Sequence, residues 1–207
     1  MVDIEELLPE VLTRAPSAPH LEALAKIREA AKTLCRRAKL WREEDELVVV
    51  SPECEALYAS QNARIHRIEW AEMLGYPLTF RDVGWLDMND PRWRDYTADS
   101  ERPRFITQLQ PNVITVVPKA TGALKLRTVL VPSRNALMLP DFLVEDYGEV
   151  IGTGAAGLVL SVPNPEVYNP DLAGALLTQF DAEVSRIAAS AARPQMNAPR
   201  RTRARFF

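Results

Sequence analysis

The chain has 207 residues, of which 47% are apolar and 26% are charged, a composition typical of globular proteins and not of disordered ones. No apolar run approaches the roughly 20 residues that a membrane helix needs. The N-terminus, residues 1–6, is acidic where a secretory signal would be basic. We therefore expect no contact with a membrane and a protein that stays in the cytoplasm where it is made.

The net charge of −3 is the sum of two parts with opposite sign. Residues 193–207 contain five arginines and no acidic residue, so residues 1–192 carry a net charge of −8. The sequence therefore predicts an acidic body followed by a basic C-terminal segment.

The chain has too few cysteines and histidines for a disulfide scaffold or a recognisable metal motif. Cys35 and Cys54 have no CxxC partner, and the histidines are His20 and His66. We expect both cysteines to be reduced, and we predict no metal and no cofactor.

The N-terminal part has helical periodicity. Apolar residues predict a short helix over residues 4–12, kinked at Pro9. A longer apolar stripe predicts an amphipathic helix from His20 to Trp41. The acidic run Glu43–Glu46 then predicts a solvated turn that leads to the first strand.

The middle of the chain has β periodicity, with short connections of the kind that join antiparallel neighbours. The candidate strands are Leu47–Ser51, Arg64–Met73, Pro77–Phe80, Arg104–Gln108, Val113–Val117 and Ala123–Val131. We expect a meandering antiparallel sheet or a small sandwich. The polar stretch 82–103 predicts a long protruding loop, with a helical turn near Val83–Met88.

Helical periodicity returns after Pro140 and predicts one helix over residues 142–158 and a last one over residues 170–192. The fold class is therefore α+β. We predict a helical bundle made of residues 1–45 and 133–193, an inserted antiparallel β domain over 46–132, and an extended C-terminal arm over 194–207.

One segment matches the GxGxxG pattern of dinucleotide-binding domains, with Gly152, Gly154 and Gly157 at the three glycine positions. The preceding residues are helical in period where a β-strand is required, so we reject a nucleotide site. Together with Gly148, these glycines instead predict close packing of another helix or of a neighbouring subunit.

Neither histidine belongs to a recognisable catalytic motif, and we predict that the protein is not an enzyme. The 28 acidic residues leave one alternative open, because glycosidase carboxylates have no local signature. That alternative is an enzyme that degrades the cell wall.

The C-terminal arm begins with a linker bounded by Pro194 and Pro199. Its functional candidates are Arg200, Arg201, Arg203, Arg205, Phe206 and Phe207. A passive basic tail and a nucleic-acid-binding arm, in which each arginine neutralises a phosphate, are two interpretations. Docking onto a protein is the third and the preferred one, since the terminal phenylalanines suit an apolar pocket.

Several segments in a fixed order carry a family resemblance. They are Leu7–Leu12 with Ala15-Pro16, Leu34–Arg42, Asn89–Arg94, Val131–Arg134, Leu139–Leu143 and Arg203–Phe207. In this order the chain resembles the head-to-tail adaptor (connector) proteins of tailed bacteriophages, which include the tail tubular protein A-like adaptors of short-tailed phages.

The resemblance implies a structural virion protein at the head-tail junction, assembled in the host cytoplasm. Its homo-oligomer is a ring, usually of twelve copies, that lies beneath the portal protein and joins it to a tail or nozzle protein. Genomic DNA passes through the channel without specific binding. The residues from Arg200 to Phe207 reach the portal, and the glycine-bearing helix and the loop 82–103 are candidate subunit faces.

Overall fold

The computed structural model describes residues 1–49, 55–58, 60–97, 99 and 101–191, and it confirms the α+β fold class. A 3-10 helix at Ile4–Leu7 precedes helices α1 (Leu8–Leu12), α2 (His20–Ala38), α3 (Val83–Asn89), α4 (Asp141–Leu160) and α5 (Pro170–Ala191). The strands are β1 (Val2–Asp3), β2 (Arg42–Val49), β3 (Glu55–Leu57), β4 (Ala63–Met73), β5 (Tyr76–Pro77), β6 (Thr79–Phe80), β7 (Phe105–Gln110), β8 (Val113–Val117), β9 (Gly122–Pro132) and β10 (Met138–Leu139). The predicted arm, 194–207, lies outside the described residues.

Helix α2 ends three residues earlier than its apolar stripe predicts. Lys39 adopts the left-handed conformation with φ of 52°, and its N–H donates to the carbonyl of Cys35, which closes the last turn. Trp41 is still buried, but it lies in the connection to β2, where its carbonyl accepts a hydrogen bond from the Leu130 amide at 2.8 Å. Trp41, the last residue of the predicted apolar stripe, therefore belongs to the core although it lies beyond the end of the helix.

The prediction of a solvated turn at Glu43–Glu46 is wrong, because these residues lie within strand β2. The strand pairs with β9 in antiparallel register, and its residues alternate between more and less exposed positions. Glu44 lies opposite Arg127 of β9 and accepts a hydrogen bond from its Nε at 2.7 Å. Cross-strand partners of opposite charge stabilise an acidic strand at the edge of a sheet.

Two four-stranded sheets form the β part. One has the order β2-β9-β4-β5 and is antiparallel throughout, and the other has the order β3-β8-β7-β6 with a parallel β6-β7 pair. Strand β9 therefore lies between β2 and β4, which is not the order of a simple meander. Strands β1 and β10 form a separate two-stranded sheet. Ile106 and Leu124, one from each large sheet, belong to the same hydrophobic core as Leu34 of α2.

The segment 82–103 contains α3, as the helical turn predicts, and it has a small core of its own. Asp82 caps α3 by accepting a hydrogen bond from the Trp85 amide at 2.8 Å. Leu86 and Trp93 are buried together with Val117 of β8. These contacts hold much of the predicted loop against the second sheet.

The C-terminal half of α4 packs closely against α5 at two glycines. A Cβ atom added at Gly154 would lie 2.6 Å from the ring of Phe180, and one at Gly157 would lie 2.9 Å from Cγ of Leu177. Real Cβ atoms essentially never approach other atoms so closely. The absence of side chains at Gly154 and Gly157 therefore lets α5 lie directly on α4.

The N-terminal half of α4 meets the start of the chain in the same way. A Cβ at Gly148 would lie 3.0 Å from Cδ2 of Leu7, and one at Gly152 would overlap Glu10 and lie 3.3 Å from its carbonyl carbon. The clash is with Cβ and the backbone of Glu10, so the α1 backbone would have to move and a change of side-chain rotamer would not be enough. Four glycines on one helix thus bring the 3-10 helix, α1 and α5 into contact with α4.

We expect Gly154→Ala to lower the free energy of unfolding by about 1 to 3 kcal/mol, since the added methyl must displace the Phe180 ring. Gly174→Ala is the matched control: Gly174 lies in α5, and a Cβ there has nothing within 4 Å. The control should gain up to about 1 kcal/mol from helix propensity. Urea unfolding followed by circular dichroism measures both, and equal stability of the two variants would refute close packing at Gly154.

Candidate functional site

The six candidate docking residues of the arm, Arg200, Arg201, Arg203, Arg205, Phe206 and Phe207, lie outside the described residues. Cys54 does as well. The described part of the chain ends with α5 at Ala191, so α5 is the element that leads toward the arm. The contacts that hold α5 in the bundle are therefore the part of the structure most relevant to the arm.

Helix α5 is held by apolar packing and by one arginine of α2. Its buried face includes Phe180, Val184 and Ile187. On the exposed side Arg37 donates a hydrogen bond to Oγ of Ser185 at 2.8 Å and forms an ion pair with Asp181. Contacts with α4 and α2 together fix the direction of α5 relative to the bundle.

The four glycines predicted to pack closely, Gly148, Gly152, Gly154 and Gly157, are all buried in the middle of α4. Their neighbours are Leu7, Glu10, Phe180 and Leu177 of the same chain. Of the two partners that the sequence leaves open, another helix or a neighbouring subunit, the structure places another helix of the same chain on this face. The GxGxxG letters lie inside a helix, as the rejection of a nucleotide site requires.

An acidic cleft lies between α4 and α5. It has a volume of about 350 Å³, and its charged lining consists of Asp146, Glu149, Glu183 and Arg186. Arg186 donates to Glu183 at 2.6 Å, and Arg14 lies 3.5 Å from Glu149. Three carboxylates and one arginine line the cleft, so it is net negative.

Two carboxyl groups of β2 face the interior. Glu43 accepts hydrogen bonds from Nε1 of Trp41 at 2.7 Å and from the hydroxyl of Tyr58 at 3.3 Å. Asp45 has one buried oxygen that lacks a hydrogen-bond partner among the described residues. Burial raises the pKa of Asp45, and the negative charge of Glu43 raises it further. Burial likewise raises the pKa of Tyr58, with Glu43 and Asp45 adding to the effect.

Paired carboxyl groups are the catalytic feature of glycoside hydrolases. Here both donors on Glu43 come from the protein itself, so this side chain joins β2 to Trp41 and Tyr58. These contacts give Glu43 a structural role.

Cys35 is fully buried in α2, and burial raises the pKa of its thiol to about 12, which makes it unreactive at neutral pH. In the described part of the chain, no three His, Cys, Asp or Glu side chains lie together as a metal site would need. Nor does any described helix have the length and apolar character needed to cross a bilayer.

Neither a family model nor a curated protein matches the sequence. The resemblance to head-to-tail adaptors therefore stays a prediction from the order of the segments along the chain.

The sequence analysis did not identify one group of basic residues as a possible site. Burial lowers the pKa of His66 in β4, and the positive charges of Arg36 and Lys39, at the end of α2, and of Arg64 and Arg67, in β4, lower it further. Some 25 residues separate the two pairs in the chain. The two arginines within β4 were the signal from which a basic site could have been predicted. Nothing in the sequence indicates that α2 lies beside them.

We expect Asp45→Asn to stabilise the protein at neutral pH and to lose this advantage in acid. The folded-state pKa of Asp45 is above its unfolded value of about 3.9. Ionisation therefore destabilises the fold as the pH rises between these two values, and the cost persists above them. Urea midpoints at pH 7.5 and pH 3.5 measure the difference.

Glu46→Gln is the matched control, because Glu46 is exposed on the same strand and lies opposite Lys125 of β9. The control should lose a little stability at pH 7.5, as an exposed cross-strand charge pair is removed. A destabilised Asp45→Asn variant at pH 7.5 would contradict the interpretation of Asp45.

Proposed function

We propose that this protein is a structural head-to-tail adaptor of a bacteriophage virion. In this role a ring of copies lies under the portal, connects it to the tail and continues the DNA channel. The observation that carries the proposal is the order of elements along the chain. Bundle helices precede and follow a β insert, and a basic segment with two phenylalanines at its end follows the last helix. The order of the segments on which the resemblance to adaptors is based favours the same function.

The packing of the bundle suits an assembly protein. Contacts at α4 glycines bring α1 and α5 against one helix, and Arg37 ties α5 to α2. A rigid bundle lets a segment attached to α5 start from a defined position in every copy. That property helps a ring to present many equivalent arms to one partner.

The first sheet offers an apolar end for contact with another virion protein. Val48 lies opposite Ala123 in the β2-β9 register, and Cδ2 of Leu74 lies 3.6 Å from the Cβ position of Gly122. Val48 and Leu74 are each more than half exposed. A closed ring needs two different faces on each subunit, and exposed apolar groups are suited to such a face.

The arm supplies the proposed contact with the portal. Full burial of one phenylalanine side chain is worth about 1.5 to 3 kcal/mol, and the four arginines add charge-assisted hydrogen bonds to acidic groups. Individual arms can be weak, because linked binding events raise the overall affinity by about 100 to 10,000-fold. The proposal therefore needs only modest affinity from Arg200–Phe207 in each copy.

We expect removal of residues 194–207 to abolish binding to the portal protein of the same phage and to leave the fold intact. Co-sedimentation with assembled portal measures binding, and thermal unfolding followed by circular dichroism measures the fold. Two full-length variants separate the components of the arm: one replaces Arg200, Arg201, Arg203 and Arg205 by Gln, and the other replaces Phe206 and Phe207 by Ala. Undiminished portal binding by the truncated chain would contradict the docking role.

A further inference from the structure

A cluster of four basic side chains lies where the end of α2 meets β4. Arg36 and Lys39 belong to the last turn and the cap of α2, and Arg64 and Arg67 belong to β4. Burial lowers the pKa of His66, and the positive charges of all four residues lower it further. Two residues after Lys39, the Trp41 carbonyl accepts a hydrogen bond from the Leu130 amide at 2.8 Å, and Leu130 pairs with Ile65 of β4. The end of α2 therefore lies about one strand away from Arg64 and Arg67, and we name the four cations the basic patch.

The basic patch has no carboxylate partners of its own. Among the described residues, no Asp or Glu lies within ion-pair distance of any of its four cations. The nearby strand residue Glu69 is paired with Arg42 at 3.1 Å. Four uncompensated positive charges thus lie together on a body whose net charge is −8. Such a local field attracts anions against the overall charge of the molecule.

A cavity opens beside the basic patch. It has a volume of about 430 Å³ and is lined by His66, Arg67, Ile68, Phe80 and Gln108. Nε2 of Gln108 is buried and has no hydrogen-bond acceptor among the described residues. Phe80 is nearly half exposed. The cavity is therefore lined by a cation, an open aromatic ring and a glutamine whose amide nitrogen lacks an acceptor.

This combination matches the chemistry of a nucleic acid. Arginine and lysine neutralise phosphates, and an exposed aromatic ring is a stacking surface for a base. A buried amide without an acceptor favours a ligand that supplies an oxygen. An acidic protein surface would pair with the cations but would not account for the exposed aromatic ring beside them.

We propose that the basic patch binds the phosphate backbone of DNA, and that the adjoining cavity takes a base from a single strand through Phe80 and Gln108. This goes beyond the proposed adaptor function, in which DNA passes without binding to the channel wall. It concerns the folded body and not the basic arm, and it does not require a ring.

The test uses the full-length chain and two fluorescent probes, a 30-base-pair duplex and a single strand of equal length, in anisotropy titrations at several salt concentrations. The patch variant carries Arg36→Gln, Lys39→Gln, Arg64→Gln and Arg67→Gln. The control variant, Arg92→Gln, Lys119→Gln, Lys125→Gln and Arg134→Gln, removes the same charge elsewhere. Both are also made with Arg200, Arg201, Arg203 and Arg205 replaced by Gln, so that binding by the arm is removed.

We expect the patch variant to bind both probes at least about tenfold more weakly than the control at moderate salt. Its log-log salt slope should be shallower by about 3 to 4, as four phosphate contacts are lost. Phe80→Ala should weaken binding of the single strand by about 5- to 100-fold and leave the duplex unchanged.

Equal DNA binding by the patch and control variants would overturn the proposal. A patch variant that loses self-association in size-exclusion chromatography but binds DNA normally would also overturn it, and would assign the patch to a protein interface. An unchanged single-strand affinity in Phe80→Ala would refute the stacking role. Portal binding is measured in a separate experiment, so a negative result for DNA binding does not bear on the adaptor proposal.

Discussion

The close approach of α4 to its neighbours is the constraint on which the bundle depends. Gly148 and Gly152 admit the start of the chain, and Gly154 and Gly157 admit α5. Glycine in a helix costs up to about 1 kcal/mol relative to alanine. That cost is offset by dispersion contacts and apolar burial along both sides of α4. The position of α5, the helix that precedes the arm in the sequence, follows from this packing.

The β insert is not an independent unit, because β9 connects it to the bundle. This strand lies between β2 and β4 in the first sheet, and α2 packs against it. Its carboxyl-terminal half, from Thr128 to Pro132, is buried throughout. A force applied to the first sheet is therefore transmitted to α2 through packed side chains. Such coupling suits a subunit whose proposed work is to join two larger assemblies.

Local periodicity predicted the elements well and their partners poorly. Strand β8 begins and ends where its apolar run does, and the ends of α4 and α5 differ from the prediction by at most two residues. The sequence predicted the end of β2 but missed its acidic first part, because the stability of that part comes from cross-strand partners such as Arg127, which local sequence does not reveal. The strand order and the basic patch depend on contacts between distant segments, and for the same reason no periodic pattern encodes them.

The arm stays a prediction from sequence, and the ring stays a prediction from resemblance. The measurement that tests the central claim most directly is electron microscopy of the full-length protein mixed with the portal of the same phage. The adaptor account predicts closed rings of the protein, stacked coaxially on portal rings. Protein that remains monomeric and never associates with the portal, at concentrations where the portal itself is assembled, would contradict it.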